Sequence, residues 1–277
     1  MSLEHDLVLI LAAMIAGAVN AVAGGGTLLT FPALLWVGQT AKIANATSTV
    51  ALWPGQLSSL LGYRREIGRS HTAIICLGIP SLVGGGIGAL LLLRTPTSTF
   101  AKLVPFLILL ATVLFSLQEP LSRMLRAHAQ RAARQEAAGE PVSLPGGERE
   151  ELETASWRRW AAIMFYQLLV AIYGGYFGAG IGILMLAALG FMGFTNIHRM
   201  NGLKNLNGLC INGVAVILFM ANRLVNWHIA LMMACGAIVG GYGGAGIAQR
   251  IGQRNVRRLV ILIGVGLALY LLLQSWH

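Results

Sequence analysis

Apolar residues in this chain do not alternate with polar ones; they run. Runs bounded by charges or turn residues cover 7–23, 27–41, 43–62, 71–93, 101–118, 160–177, 181–195, 201–222, 227–249 and 259–274. Most approach or reach the roughly 20 helical residues that cross a hydrocarbon core. The pattern predicts an all-α, polytopic membrane protein with about ten transmembrane segments. Composition agrees: 56% of the 277 residues are hydrophobic and 11% are charged, against about 25% charged in soluble domains. A mean hydropathy of +0.70 points the same way. A soluble fold and a disordered chain are both excluded. Three cysteines, Cys76, Cys210 and Cys235, all inside apolar runs and without a Cys-x-x-Cys pair, exclude a disulfide framework.

Residues 119–159 break the pattern, with seven Arg, seven Glu and Pro120, Pro141 and Pro145. They are read as a charged linker between a first half, 1–118, and a second half, 160–277. Arg123, Arg126, Arg131 and Arg134 would suit a basic helical face on the lipid surface. A solvated loop is the simpler reading.

The net charge of +10 belongs to membrane topology, since cytoplasmic loops collect Lys and Arg. Counting passes puts fifteen basic residues on one side: Arg64, Arg65, Arg69, the seven linker arginines, Arg199, Arg250, Arg254, Arg257 and Arg258. The other side receives Lys42, Arg94, Lys102 and Arg223. The asymmetry predicts a cytoplasmic linker and termini outside, in the cytoplasmic (inner) membrane. Nucleic acid is not expected as a partner, because no basic stripe sits on a soluble module. The N-terminus does not read as a signal peptide, with Glu4 and Asp6 where a basic region belongs.

An internal repeat follows. At a shift of 156, Asn45 meets Asn201, Gly84 meets Gly240, Gly88 meets Gly244 and Arg94 meets Arg250; at 154, Gly24 meets Gly178 and Gly26 meets Gly180. Five segments per half is odd, so the halves must enter the membrane from opposite sides. This is the inverted-repeat arrangement of secondary carriers.

Two features recur in both halves. The first is a glycine tip: Gly24-Gly25-Gly26 in one half, Gly178-Ala179-Gly180-Ile181-Gly182 in the other. Each follows one apolar run and opens a short one, which predicts glycine-broken hairpins ending near the midplane. Helix N-termini there would present backbone N–H groups and partial positive charge. Close helix packing is the alternative use of such glycines, and it is the preferred one for Gly84/Gly88 and Gly240/Gly244.

The second feature is a polar stripe. Asn201, Lys204, Asn205, Gly208 and Asn212 share one helix face. The repeat sets Asn45, Ser48, Thr49 and Gln56 opposite Asn201, Lys204, Asn205 and Asn212. Lys204 is the sharpest residue, because a lysine at membrane depth costs about 2.5–3.5 kcal/mol on insertion scales. No acid follows Glu153 and none lies inside an apolar run, so an anionic substrate is the natural partner. Two alternatives stay open: Lys204 snorkels to the cytoplasmic interface near Arg199, and the amides glue helices together. Asn20, one turn before the first tip, would cap the tip or line a cavity. Pro54-Gly55 is expected to kink the third segment. His71 and His228 begin segments at the membrane surface, where a proton role competes with simple interfacial solvation.

Several motifs are set aside. Gly241-x-Gly-x-x-Gly246 lies inside an apolar helix with no strand before it, so it is no dinucleotide site. Asn45-Ala-Thr47 matches a glycosylation sequon by chance. His-Glu-x-x-His and an intramembrane aspartate pair are absent. An enzyme is therefore not expected, nor any cofactor or metal.

With these residues in hand, the chain resembles the TauE/SafE sulfite exporter family, the transporters of sulfur-containing organic anions. The first-half signature runs Ala16-Gly17-Ala18-Val19-Asn20-Ala21-Val22-Ala23-Gly24-Gly25-Gly26 and on to Phe31-Pro32-Ala33-Leu34. Ala46-Thr47-Ser48-Thr49 and Gly62-Tyr63-Arg64-Arg65 follow, and the second half has Asn201-Gly202-Leu203-Lys204 with Asn207. The resemblance covers nearly the whole chain except the linker. Asn20 stands where relatives often have Asp, and Ser48-Thr49 where Asn-Lys is frequent. The resemblance implies secondary transport of sulfite, organosulfonates or related small anions. It leaves direction, proton coupling and oligomeric state open, with monomer and homodimer both admissible. An anion channel, or another ten-helix metabolite carrier, is the alternative function. The expected substrate contacts are Lys204, Asn201, Asn205, Asn207, Asn212, Asn45, Thr47, Ser48, Thr49, Gln56 and Asn20, with the tip residues Gly24, Gly25, Gly26, Gly178 and Gly180.

Overall fold

A computed structural model describes residues 3–22, 24–67, 71–137, 157–191, 194, 197–251 and 253–275. These residues form α1 (Leu3–Val22), α2 (Thr27–Trp36), α3 (Ala41–Ile67), α4 (His71–Arg94) and α5 (Thr97–Ala137) in the first half. The second half holds α6 (Trp157–Tyr176), α7 (Ile181–Phe191), α8 (Ile197–Ala221), α9 (Trp227–Ile251) and α10 (Gln253–Ser275). Each helix overlays one of the ten apolar runs. No strand occurs among the described residues. The chain is an all-helical polytopic membrane protein.

Four helices carry windows long and apolar enough to cross a membrane: Leu3–Asn20, Ala73–Arg94, Thr97–Leu117 and Arg199–Ala221. Five more carry shorter apolar stretches. Large apolar side chains face outward, among them Phe106, Ile217, Leu231, Leu262 and Leu273, each more than 60% exposed. Such a surface suits hydrocarbon and not water. The remaining helix, α3, packs against α1, α2, α5, α8 and α9. That enclosure explains why it can be long and yet carry the polar residues Asn45, Thr47, Ser48, Thr49 and Gln56.

The linker reading needs one correction. The fifth helix does not stop at residue 118 but continues through Pro120 to Ala137. Residues 121–137 are rich in Ala, Leu, Arg and Gln, all strong helix formers, so the helix continues past its apolar part. The solvated-loop expectation for 138–156 lies outside the described residues.

Packing between the halves dominates. Helix α1 lies on α9 and α4 lies on α6; α3 packs on α9 and α4 on α8. Helices α3 and α8 meet each other, as do α5 and α10. Exchanging the first five helices for the last five turns each of these pairings into another of the same set. Small residues bring the partners close. A β-carbon on Gly84 would stand 2.7 Å from the Leu168 carbonyl oxygen, and one on Gly88 or Gly240 would overlap the carbonyl of Ile172 or Met14. These glycines serve helix packing.

Candidate functional site: a cavity between two broken helices

Helices α2 and α7 hold 10 and 11 residues. At 1.5 Å per residue each spans about 15 Å, half of a ~30 Å hydrocarbon core. Both begin at glycine breaks. Gly24 and Gly25 have φ of +73° and +127°, and Gly178 and Gly180 both have +81°, a region that L side chains rarely enter. The tips abut: a β-carbon on Gly24 would lie 3.0 Å from Gly182 Cα. Non-helical backbone at membrane depth needs such enclosure by protein.

The two tips are finished differently. In the first, Asn20 Oδ1 accepts the N–H of Gly25 at 2.9 Å and of Gly26 at 2.7 Å. That amide oxygen ties down the two N–H groups that lead into α2. At the 154-residue shift Gly174 stands opposite Asn20, so the second tip has no side chain at that position to do the same. No described group accepts the N–H of Gly180, Ile181 or Gly182. The start of α7 therefore keeps open donors and the partial positive charge that accompanies them.

A cavity of about 40 Å³ lies where the tips meet the polar stripes of α3 and α8, room for about three water molecules. It is lined by Asn20, Gly24, Gly25, Thr49, Gln56, Gly178, Lys204, Asn205 and Asn212 among the residues expected from sequence. Thr27, Leu52, Ile181, Gly182, Met185 and Gly208 complete the wall. Lys204 is 3% exposed, and its Nζ has no hydrogen-bond partner. It sits two turns inside α8, away from the helix end. Asn205 Nδ2 is likewise buried and unpartnered.

Seven expected contacts lie elsewhere. Asn45 donates through Nδ2 to the Tyr176 carbonyl at 3.1 Å and so holds the end of α6. Thr47 Oγ1 accepts the N–H of Asn226 at 3.1 Å. The Ser48 hydroxyl pairs with that of Thr30 at 2.6 Å, tying α3 to α2. Gly26 is fixed by packing, since a β-carbon there would strike the Ala16 carbonyl and approach Asn20 Cγ to 2.9 Å. Asn201 and Gly180 do not line the cavity.

Asn207 belongs to a separate node. Its Oδ1 stands 3.3 Å from the Ser81 hydroxyl, which also accepts Gln167 Nε2 at 2.8 Å. All three side chains are buried, and they join α8, α4 and α6. The repeat equivalents of Gln167, Asn207 and Ser81 are Ala13, Ala51 and Ala237, each fully buried. One interhelical junction is thus polar, and its counterpart is apolar. Sequence reading missed this node because Ser81 and Gln167 stand alone in apolar runs.

The profile of the family described as sulfite exporter TauE/SafE matches residues 9–271. The chain belongs to the TauE/SafE family. Relatives span nearly all of it. A "Probable membrane transporter protein" of Haemophilus influenzae is 26% identical over 270 residues, covering 95% of this chain and 93% of the relative. One from Sinorhizobium sp, with the suffix ORF9, is 26% identical over 277 residues, 97% of this chain and 93% of the other. YfcA of Escherichia coli K12, also named a probable membrane transporter protein, is 25% identical over 276 residues, with 97% and 90% covered. No solved structure matches the chain. As a TauE/SafE protein with spanning helices, the chain is a multi-pass membrane transporter.

Proposed function

We propose that this transporter is a secondary carrier of small sulfur-containing anions, sulfite and organosulfonates among them, across the cytoplasmic membrane, and that the cavity is its substrate site. One observation carries the reading: the buried side-chain groups of the cavity that find no partner among the described residues, Lys204 Nζ and Asn205 Nδ2, are both donors. Asn20 Oδ1 is occupied by the first tip, and Gln56 Oε1 by Asn212 Nδ2 at 3.0 Å. The Lys204 ammonium, the Asn205 amide nitrogen and the N–H groups opening α7 are left without protein acceptors. A buried donor set that can carry one positive charge calls for a ligand that only accepts hydrogen bonds and is negative. A sulfur oxoanion fits that description, and the family's description as sulfite exporters supports the choice of sulfur.

The two halves, 1–118 and 160–277, are read as inverted repeats joined by the cytoplasmic linker 119–159. The exchangeable helix pairings support this reading, and the fifteen-to-four distribution of basic residues supports the orientation. Substrate would reach the cavity from alternate sides as one half rocks on the other. Uptake of labelled sulfite into proteoliposomes tests the proposal. A carrier gives saturable uptake, accelerated by sulfite loaded inside. Flux that neither saturates nor responds to internal sulfite would indicate a channel.

A further inference from the structure

We propose that Lys204 binds a transported proton as well as the anion, gaining the proton when the anion enters and releasing it when the anion leaves, so that the cycle is electroneutral. This rests on the anion reading of the cavity. The Nζ atom is enclosed and, among the described residues, has no partner and no carboxylate lining the cavity with it. An ammonium held there alone keeps the desolvation penalty of a buried charge with no compensating ion. A neutral amine avoids it. A bound anion supplies the missing counter-charge, so anion and proton each raise the affinity for the other, as linkage requires.

Among the described side chains, no charged group fills that role. Helix α3 carries Lys42, Arg64, Arg65 and Glu66 toward its ends, and the Lys42 ammonium is occupied by the Leu93 and Thr95 carbonyls at 3.1 and 2.8 Å. Helix α4 has His71 and Arg94 at its two ends and the thiol Cys76 within, and α7 has no titratable group. Helix α6 has Arg158 and Arg159 near its start; of its tyrosines, Tyr166, Tyr173 and Tyr176 donate to Leu184, Ala179 and Thr95. On α8 itself, His198, Arg199 and Cys210 accompany Lys204, and the Arg199 guanidinium lies 5.1 Å from the Phe194 ring centroid. From α1, the neutral Asn20 is what reaches the cavity. The proton therefore passes between water on the open side and the amine: R–NH2, H+ and the monoanion give R–NH3+ paired with the anion. Empty and loaded carriers then hold the same charge, while a carrier bearing one partner alone has a buried charge.

The test uses the purified full-length chain in proteoliposomes with methanesulfonate, which stays ionised at working pH and brings no proton of its own. One pH unit, alkaline inside, should drive about tenfold accumulation. A potassium–valinomycin potential of ~100 mV should change uptake less than twofold, whereas one moving charge gives roughly fiftyfold. Lys204→Arg, permanently charged, should still bind the anion, lose the pH drive and become sensitive to potential. Calorimetry in detergent with methanesulfonate and sulfite separates the two claims. If neither anion binds, the anion reading fails and the coupling with it. Intact binding with potential-driven flux, or with no flux under either gradient, overturns the proton coupling alone.

Discussion

Gln56 and Asn212 stand 156 positions apart, the shift at which the sequence of one half aligns with the other, and they hydrogen-bond to each other at 3.0 Å across the cavity wall. One turn away, Trp53 Nε1 donates to the carbonyl of Leu209, again 156 positions on, at 3.2 Å. Helices α3 and α8 therefore meet through residues that pair at one constant shift. Asn212→Leu strands the Gln56 carbonyl and should lower stability by about 1–3 kcal/mol. The double variant with Gln56→Leu should cost less than the sum of the singles, because the two act as one unit. Denaturation in detergent measures both.

Asn20 separates capping from binding. Asn20→Asp keeps an oxygen for the Gly25 and Gly26 N–H groups and should retain stability within about 0.5 kcal/mol, while Asn20→Ala should lose about 1 kcal/mol. The carboxylate also sets a negative charge in the cavity beside the anion. Methanesulfonate affinity should fall more than tenfold in Asn20→Asp, read by calorimetry.

Asn207 gives the opposite pattern. In Asn207→Ala the Ser81–Gln167 pair loses a buried partner, so stability should fall by about 1–3 kcal/mol. Affinity should stay within twofold, since Asn207 lies outside the cavity. Asn205→Ala should weaken binding and leave stability nearly unchanged.

Gly24→Ala adds a β-carbon at positive φ and 3.0 Å from Gly182 Cα. Both the strain and the clash act on the joint between the tips. The variant should unfold at least several degrees below wild type, or fail to elute as a single species in detergent.

Much of this architecture is legible in sequence because lipid and water impose separate patterns. The ten apolar runs mark ten helices, and glycine at the tips marks both breaks. The spacing of Lys204, Asn205, Gly208 and Asn212 marks one cavity face. What escapes is the destination of each polar side chain. Asn45, Thr47, Ser48 and Asn207 look like the cavity residues Thr49 and Asn205, yet each bonds to a neighbouring segment instead of lining the cavity. Helical period fixes a face to within a few tens of degrees, and for Asn45, Thr47 and Asn207 the partner across that face comes from the other half, over 120 residues away. The asymmetry between Asn20 and Gly174 is written in the sequence, but its meaning depends on which N–H groups the Asn20 side chain reaches. The extension of α5 to Ala137 was hidden by the charge of residues whose helix propensity is high.

Equilibrium binding of methanesulfonate to the purified protein and to Lys204→Met tests the central claim most directly. The wild type should bind one anion saturably per chain, and the variant, similar in volume but uncharged, should bind at least a hundredfold more weakly while remaining folded. Equal affinity in the two would show that the buried lysine does not hold the anion.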